Sequence, residues 1–230
     1  MILLTFALPH ESGKFVPRLK NKTWHERGAL PKVTGHFEGR QVSVIHTGMG
    51  PHRATACTAD FLALNRPKLL IAAGYAGGLD ERLRTGQLLI GENFTEPSLL
   101  SLAGGHGDAF IGKLTTQPRV AETPAEKRQL ATETGAVAVD METAAIHEQC
   151  RRANIPMVSV RAISDPVETA MPVPSEIWFD EERQQPRIVP LLAFLGRRPR
   201  KIPHFARFVG GTNHARRELT EFLCGFIRKL

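Results

Sequence analysis

Four short stretches of the sequence combine glycines, acids and small polar residues in a way that suits the binding of a small ligand. Each follows an apolar run typical of a buried strand, and in open α/β sheets ligands bind at the carboxyl ends of the strands. The stretches are Pro9–Ser12 and residues 47–51, 74–79 and 161–166. The second leads into the amino terminus of a predicted helix, and such a terminus can hold an anion.

Ordinary structural roles compete with a functional one at these positions. Glu11 suits a surface loop, and Gly48 and Gly50 suit a tight turn. Asp165, directly before a proline, is a common turn residue. Glu142 lies in the first turn of a predicted helix, where acids interact favourably with the helix dipole. Since the chain also contains no GxGxxG, Walker or GxSxG motif, no single stretch identifies a function.

In their order and content, these stretches resemble the nucleoside phosphorylase and nucleosidase superfamily, and within it the methylthioadenosine/S-adenosylhomocysteine nucleosidases. The specific signal is the pair Asp-Met-Glu-Thr-Ala-Ala-Ile at residues 140–146 and Arg-Ala-Ile-Ser-Asp at residues 161–165, spaced about as in that family. Residues 47–50, 74–79 and 86–90 add to it. The resemblance extends over roughly the first 170 residues of the chain.

The resemblance implies a role for each of four side chains. Asp165 matches the acid that protonates or hydrogen-bonds a ring nitrogen of the leaving purine, which is needed because an adenine anion leaves poorly. Glu142 matches the carboxylate that binds the ribose hydroxyls, and Met141 matches the side chain that packs on the sugar while positive charge develops on its ring. Glu11 matches the acid that orients and deprotonates the attacking water.

Four further positions are implied to line the substrate site, and two of them depart from the family pattern. Gly77 and Ser164 lie within the matching stretches. Val120 lies where the family often has an aromatic residue against the base, so stacking is expected to be lost there. Tyr75, the only tyrosine, stands where the nucleosidases commonly have serine. Its hydroxyl could reach the water or the ribose, or its ring could fill a pocket.

Two other departures raise phosphate as an alternative nucleophile. After Gly50 the sequence Pro-His-Arg is not the usual nucleosidase sequence, and Arg53 near the helix start is a candidate phosphate ligand together with Gly50. Residues 166–211 are longer than the corresponding nucleosidase segment, and they are basic and rich in proline. In this they resemble the hopanoid-associated phosphorylases, whose substrate carries a large lipid on adenosine. Phosphorolysis, including that of a lipid-linked adenosine, is the alternative to hydrolysis.

The elements that must position these side chains follow from the apolar pattern. Apolar runs that lack the alternation of a half-exposed strand predict buried strands at residues 2–8, 42–47, 68–73, 87–90, 136–139 and 157–162. Helical spacing and start signals predict helices at residues 53–65, 141–153 and 215–229. This alternation indicates an α/β fold, a single domain whose central mixed, largely parallel sheet is flanked by helices. The proline-rich stretch after residue 165 is predicted to be irregular.

The net charge of +7 is concentrated in one segment. Residues 183–217 contain nine basic and no acidic residues, interleaved with leucine, isoleucine and phenylalanine. One basic segment without a known motif is a poor footprint for nucleic acid, so no nucleic-acid partner is expected. The segment could be a solvated loop, a lid, a dimer contact or a surface that touches an anionic membrane or a lipid-bearing substrate.

The sequence therefore predicts a purine nucleosidase that cleaves the N-glycosidic bond of a 5′-substituted adenosine with water. A non-catalytic nucleoside-binding or membrane-associated protein of the same fold is the second alternative, and the intact set Glu11, Glu142 and Asp165 argues against it. No metal or organic cofactor is expected, and phosphate is a co-substrate only for a phosphorylase. The resemblance implies a homodimer.

Cysteine usage and the amino terminus bear on the compartment. The three cysteines are odd in number and far apart, which argues against a disulfide framework. No two of them have the spacing of metal ligands. The apolar run at the amino terminus is too short to span a membrane, no basic residue precedes it and no small-residue cleavage site follows it. A cytoplasmic protein is expected, with membrane contact through residues 183–217 as an option.

Overall fold

The computed structural model describes residues 1–25, 32–106, 108–180 and 182–230. Its strands are β1 Ile2–Phe6, β2 Lys20–His25, β3 Lys32–Phe37, β4 Arg40–His46, β5 Leu69–Gly78, β6 Leu88–Gly91, β7 Phe110–Gly112, β8 Leu114–Thr116, β9 Ala138–Asp140, β10 Met157–Asp165, β11 Phe179–Asp180 and β12 Gln185–Pro186. Its helices are α1 Pro9–Ser12, α2 Pro51–Leu64, α3 Pro97–Gly104, α4 Pro124–Thr134, α5 Thr143–Ala153, α6 Ser175–Trp178, α7 Ile188–Arg197 and α8 Ile202–Lys229.

The first ten strands form one mixed sheet, as the sequence predicts. The order β2-β3-β4-β1-β5-β10-β6-β7 runs across it, and β9 joins β5 to β8. Strands β4, β1, β5 and β10 are parallel neighbours in the centre of the sheet. Their carboxyl ends therefore meet at one edge, where parallel α/β sheets bind ligands.

Helices cover both faces of the sheet and complete its core. On one face, buried side chains of α8 such as Leu219, Phe222 and Phe226 pack against the strands. On the other face, Phe61 of α2 and Ile146 of α5 pack against them. Among the described residues, no helix has both the length and the apolar character needed to cross a bilayer.

The six predicted strands are confirmed, but two of them run further than predicted. Strand β5 continues through the glycine-rich stretch to Gly78, and β10 continues to Asp165. The two strands pair with each other there, with Asp165 opposite Gly77 after a bulge at residues 163–165. The predicted strand ends at residues 73 and 162 are thus too early, because this pairing continues to satisfy the backbone groups of the residues that follow.

The expectation of irregular structure after residue 165 is only partly correct. Residues 166–187 hold short elements only, but α7 is a ten-residue helix and α8 begins at Ile202 rather than at residue 215. Prolines do not break these helices because they lie in first turns, where the missing N–H has no intrahelical partner to lose. Pro199 begins a 3₁₀ turn and Pro203 lies in the first turn of α8.

Candidate active site

Glu11 lies just after β1 and is held by backbone donors. Its Oε2 accepts hydrogen bonds from the amides of Ala7 and Leu8 at 2.8 and 3.0 Å, and its Oε1 accepts one from the amide of Tyr75 at 3.2 Å. The side chain is buried. Burial raises the pKa of Glu11, while the backbone donors and the positive charge of Arg161 oppose that rise.

Arg161 is a buried cation close to the acids Glu11, Asp140 and Glu142. Its guanidinium is 2.9 Å from the carboxylate of Asp140 and also donates to the hydroxyl of Thr143. A Cβ added at Gly74 would overlap the Arg161 guanidinium and approach Oε1 of Glu11 to 3.2 Å. Gly74 therefore provides the space in which the buried cation lies against the strand.

Glu142 is the second buried acid at this edge. It directly precedes α5, and its Oε1 accepts a hydrogen bond of 2.8 Å from the amide of Gly50. Burial and the neighbouring charge of Asp140 raise the pKa of Glu142 to about 8. The loop before α2 and the loop before α5 are thus joined at the carboxylate that the resemblance assigns to ribose.

Asp165 ends β10 and is the third buried acid. Its Oδ1 accepts a hydrogen bond from the hydroxyl of Ser164, and its Oδ2 lies against Gly77, where an added Cβ would come within 3.5 Å. Burial raises the pKa of Asp165. The charge of Lys127 and the hydrogen bonds from Lys127 and Ser164 oppose the rise.

The residues that the resemblance assigns to substrate contact lie in different elements. Met141 is buried between β9 and α5, directly before Glu142. Val120 is half-buried in the segment between β8 and α4. The Tyr75 hydroxyl lies 3.3 Å from Nδ1 of His10, and the two rings meet edge to face. Tyr75 therefore contacts the stretch that carries Glu11.

The groups proposed for phosphate have protein partners. The amide of Gly50 donates to Glu142, and the neighbouring amide of Met49 donates to Oε1 of Gln184 at 2.6 Å. The guanidinium of Arg53 donates to the backbone carbonyl of Glu182 at 2.6 Å. The segment after Asp165 thus packs across the loop that begins α2.

Two functional candidates were not singled out from the sequence. Arg161 stands in the matched stretch 161–165, but nothing in the pattern shows that it pairs with Asp140. Lys127 lies in the polar helix α4, where a lysine normally faces solvent. The sequence signal for Arg161 is that it is the one basic residue on β1 and β10, the strands that lead to Glu11 and Asp165. Among the described residues, no group of three histidine, cysteine or acidic side chains could hold a metal ion.

Comparison with known proteins identifies the family of the chain. The sequence matches the model of the Phosphorylase superfamily over residues 2–111 and 113–187. A 5′-methylthioadenosine/S-adenosylhomocysteine nucleosidase of Staphylococcus aureus (strain bovine RF122 / ET3-1) is 26% identical over 163 residues, which are 57% of this chain and 72% of that protein.

Solved structures show the same fold. The 5′-methylthioadenosine/S-adenosylhomocysteine nucleosidase of Neisseria meningitidis in complex with methylthio-immucillin-A has a TM-score of 0.77 at 17% identity, covering 100% of this chain and 99% of that one. Futalosine hydrolase of Helicobacter pylori strain 26695 has a TM-score of 0.73 at 18% identity, covering 100% and 97%. The chain belongs to the phosphorylase superfamily.

Proposed function

We propose that the chain is an enzyme that cleaves the N-glycosidic bond of a 5′-substituted adenosine with water as the nucleophile. The observation that carries this proposal is that, besides the Asp140 paired with Arg161, the three acids Glu11, Glu142 and Asp165 are buried at the carboxyl ends of the central strands. Burying three acids is costly for a fold, and such groups are concentrated at functional sites. The substrate class, 5′-substituted adenosines, is taken from relatives that are named 5′-methylthioadenosine/S-adenosylhomocysteine nucleosidases.

In this proposal Asp165 is the general acid. It gives its proton to a ring nitrogen of the purine while the C1′–N bond breaks and the bonding electrons pass to the base. A raised pKa keeps a proton on the carboxyl closer to neutral pH, which a general acid requires. The Ser164 hydroxyl and Gly77 fix the carboxyl's position, and the resemblance assigns Val120 to the wall beside the base.

Glu142 and Met141 hold the sugar. The 2′- and 3′-hydroxyls donate to Glu142, and Met141 packs against the ring as positive charge develops on it. Burial raises the pKa of Glu142 to about 8 in the empty site, so nucleoside binding near neutral pH is expected to release a proton from Glu142, which leaves an ionised carboxylate to accept both hydroxyl hydrogen bonds.

Glu11 acts on the nucleophile. It takes a proton from water as the oxygen attacks C1′, so the products are the free base and a reducing sugar. Its raised pKa makes it a stronger base than a solvated carboxylate, and the three backbone donors fix its orientation. The hydroxyl of Tyr75 lies 3.3 Å from Nδ1 of His10, the residue directly before Glu11.

The hydrogen bonds made by the loop before α2 favour water over phosphate as the nucleophile. The amides of Met49 and Gly50 and the guanidinium of Arg53 all donate to protein oxygens, so a phosphate would have to displace these bonds. Phosphorolysis remains the competing mechanism that the experiment must distinguish. The reaction as written uses no metal and no organic cofactor.

The test is release of adenine from a panel of nucleosides. The panel contains adenosine, 5′-methylthioadenosine, S-adenosylhomocysteine and an adenosine with an alkyl chain at the 5′ carbon, each assayed with and without phosphate. The proposal predicts release that phosphate does not accelerate and that Glu11→Gln abolishes. An absolute requirement for phosphate would establish phosphorolysis instead, and the absence of any release would favour a non-catalytic protein.

We also propose that residues 183–217 bind an anionic membrane surface beside the site. No residue of α7 is buried, although most of its residues are apolar. Val189 is 77% exposed and Leu192 is 62% exposed, and Ile188, Ile202 and Val209 are exposed as well. Apolar residues this exposed among nine bases suit the headgroup region of an anionic membrane, where each base contributes about 1 kcal/mol.

Vesicle co-sedimentation tests the membrane proposal. Binding is expected to vesicles with anionic lipid and not to neutral vesicles, with loss at high salt and on replacement of Arg197, Arg198, Arg200 and Lys201 by glutamine. Replacement of the exposed Lys113 by glutamine is the control. Equal recovery in the supernatant with and without anionic vesicles would refute the proposal.

We further propose a cytoplasmic homodimer. The family resemblance implies the dimer, and Cys57, Cys150 and Cys224 are all free thiols, as is usual in a reducing compartment. Light scattering measures the mass in solution. If a dimer forms and Val189→Asp together with Leu192→Asp makes it monomeric, then α7 is the dimer contact rather than a membrane surface.

A further inference from the structure

A lysine is buried next to the proposed acid. Helix α4 is polar, and Lys127 is its only buried residue, with none of its surface exposed. Lysines are almost never fully buried unless they are paired. The side chain crosses beneath Gly77 of β5, where an added Cβ would lie 3.8 Å from Cε of Lys127, and ends at Asp165.

The acceptors around Lys127 match an ammonium group. Its Nζ forms an ion pair with Oδ2 of Asp165 and donates to the carbonyls of Pro166 and Thr169 at 2.9 and 3.0 Å. A lysine ammonium has three N–H donors, so each proton has one close acceptor. The same group therefore fixes both the carboxyl of Asp165 and the turn that follows it.

Helix α4 is itself fixed at both ends, so the position of Lys127 is well defined. The Thr123 hydroxyl accepts from the amide of Glu126, and the Glu126 carboxylate accepts from the amide of Thr123 at 2.9 Å. Gly135 ends the helix in the left-handed conformation. The capping box and the glycine stop are strong local signals that set where the fourth residue of the helix points.

We propose that Lys127 is a positioning residue for Asp165, holding its carboxyl in the geometry for proton transfer to the leaving base. The inference rests on the proposed role of Asp165 as the acid. Lys127 does not touch the substrate in this account, and it acts only through the carboxyl and the turn at residues 165–169. Its positive charge also stabilises the ionised carboxyl and so opposes the effect of burial.

The test compares Lys127→Met with the wild type across pH, on whichever nucleoside of the panel is turned over fastest. Methionine keeps the length of the side chain and removes the charge. The expected loss in kcat is about 10- to 100-fold, as for a small misplacement of a catalytic group. The alkaline limb of the kcat profile is expected to move up by about 1–3 pH units, since a cation next to an acid lowers its pKa by that amount. Lys127→Arg should restore the position of the limb.

A double variant separates positioning from a general loss of structure. If Lys127 acts through Asp165, Asp165→Asn with Lys127→Met should be no slower than Asp165→Asn alone. Lys113→Met is the matched control, because Lys113 contacts the carbonyl end of the same helix at Thr134 and is exposed. It is expected to behave as the wild type does.

The outcomes distinguish this inference from the proposed function. An active wild type with an impaired Asp165→Asn variant and an unimpaired Lys127→Met variant overturns the inference alone. Losses that add in the double variant, with an unmoved alkaline limb, also overturn it, because Lys127 then only stabilises the fold. A wild type that releases no base from any nucleoside overturns the proposed function itself, and the inference with it.

Discussion

The three buried acids differ in the groups that hold them. Glu11 accepts three backbone hydrogen bonds, Glu142 accepts one, and Asp165 is held by Lys127 and Ser164. Glu142 is thus the least compensated of the three in the empty site, and its pKa is raised to about 8. A carboxyl with unused acceptor capacity is suited to taking hydrogen bonds from a ligand.

Replacing the proposed acid tests its role directly. Asp165→Asn keeps the shape of the side chain but cannot deliver a proton, so kcat is expected to fall by about 10²–10⁴-fold. The loss should appear in steady-state assays of adenine release on protein shown by circular dichroism to be folded, because Asp165→Asn also leaves the buried Lys127 ammonium without its ionised partner and should lower the thermal unfolding midpoint. A reduction of less than tenfold would remove Asp165 from the role of general acid.

The raised pKa of Glu142 makes stability depend on pH in a defined direction. Between about pH 4.5 and 8 the folded protein keeps a proton on Glu142 that the unfolded chain releases, so this group's contribution to the free energy of unfolding falls as pH rises. Glu142→Gln removes that dependence. Its thermal unfolding midpoint, relative to the wild type, should increase from pH 5 to pH 8 in the absence of substrate.

Two further results bear on Glu142. Parallel curves for the variant and the wild type over that pH range would contradict the raised pKa. In activity assays, Glu142→Gln should raise KM and lower kcat, since hydrogen bonds to a charged group contribute about 1.5–3 kcal/mol. Normal turnover would leave Glu142 as an acid at a helix start and nothing more.

At the scale of elements, the packing of Arg161 against strand β5 depends on the absence of a side chain at Gly74. Gly74→Ala would push a Cβ into the guanidinium of Arg161, which is held by Asp140 and Thr143. The expected cost is about 1–3 kcal/mol in the free energy of unfolding, together with lost activity because Glu11 lies against the same position. Chemical denaturation and adenine release measure the two effects.

The matched control for Gly74→Ala is the same substitution in helix α8. Nothing lies within 4 Å of a Cβ added at Gly210, so Gly210→Ala should stabilise the helix by about 0.5–1 kcal/mol. If Gly74→Ala were as stable and active as Gly210→Ala, the close packing of Arg161 on β5 would be refuted.

The elements that the sequence predicts are those whose residues are buried on both sides. Strands β1, β4, β5 and β10 are mainly apolar and do not alternate, and the sequence predicts each of them. Strand β2 at the sheet edge is almost entirely exposed and polar, so it has no apolar pattern to recognise. Helices α7 and α8 were missed or shortened because prolines suggest loops when their place in a first turn is not considered.

At the scale of the molecule, the order of motifs predicted more of the site than any local pattern did. Glu11, Glu142 and Asp165 come from three distant parts of the chain. Parallel pairing of β1 and β10 with β5 brings Glu11 and Asp165 to one edge, and antiparallel pairing of β9 with the end of β5 brings Glu142 there. The partners Lys127 and Arg161 could not be predicted in this way. Their burial depends on the three-dimensional path of two side chains, and a basic residue in a sequence gives no sign of which acid it faces.

In the proposed reaction, water rather than phosphate attacks C1′ of the ribose as the bond to the base breaks. The most direct measurement is ³¹P NMR of a reaction on 5′-methylthioadenosine, or on the best substrate of the panel, in phosphate buffer, with adenine quantified in the same sample. Hydrolysis predicts one reducing sugar for every adenine released and no new phosphate ester signal. A sugar 1-phosphate formed in step with adenine would contradict it.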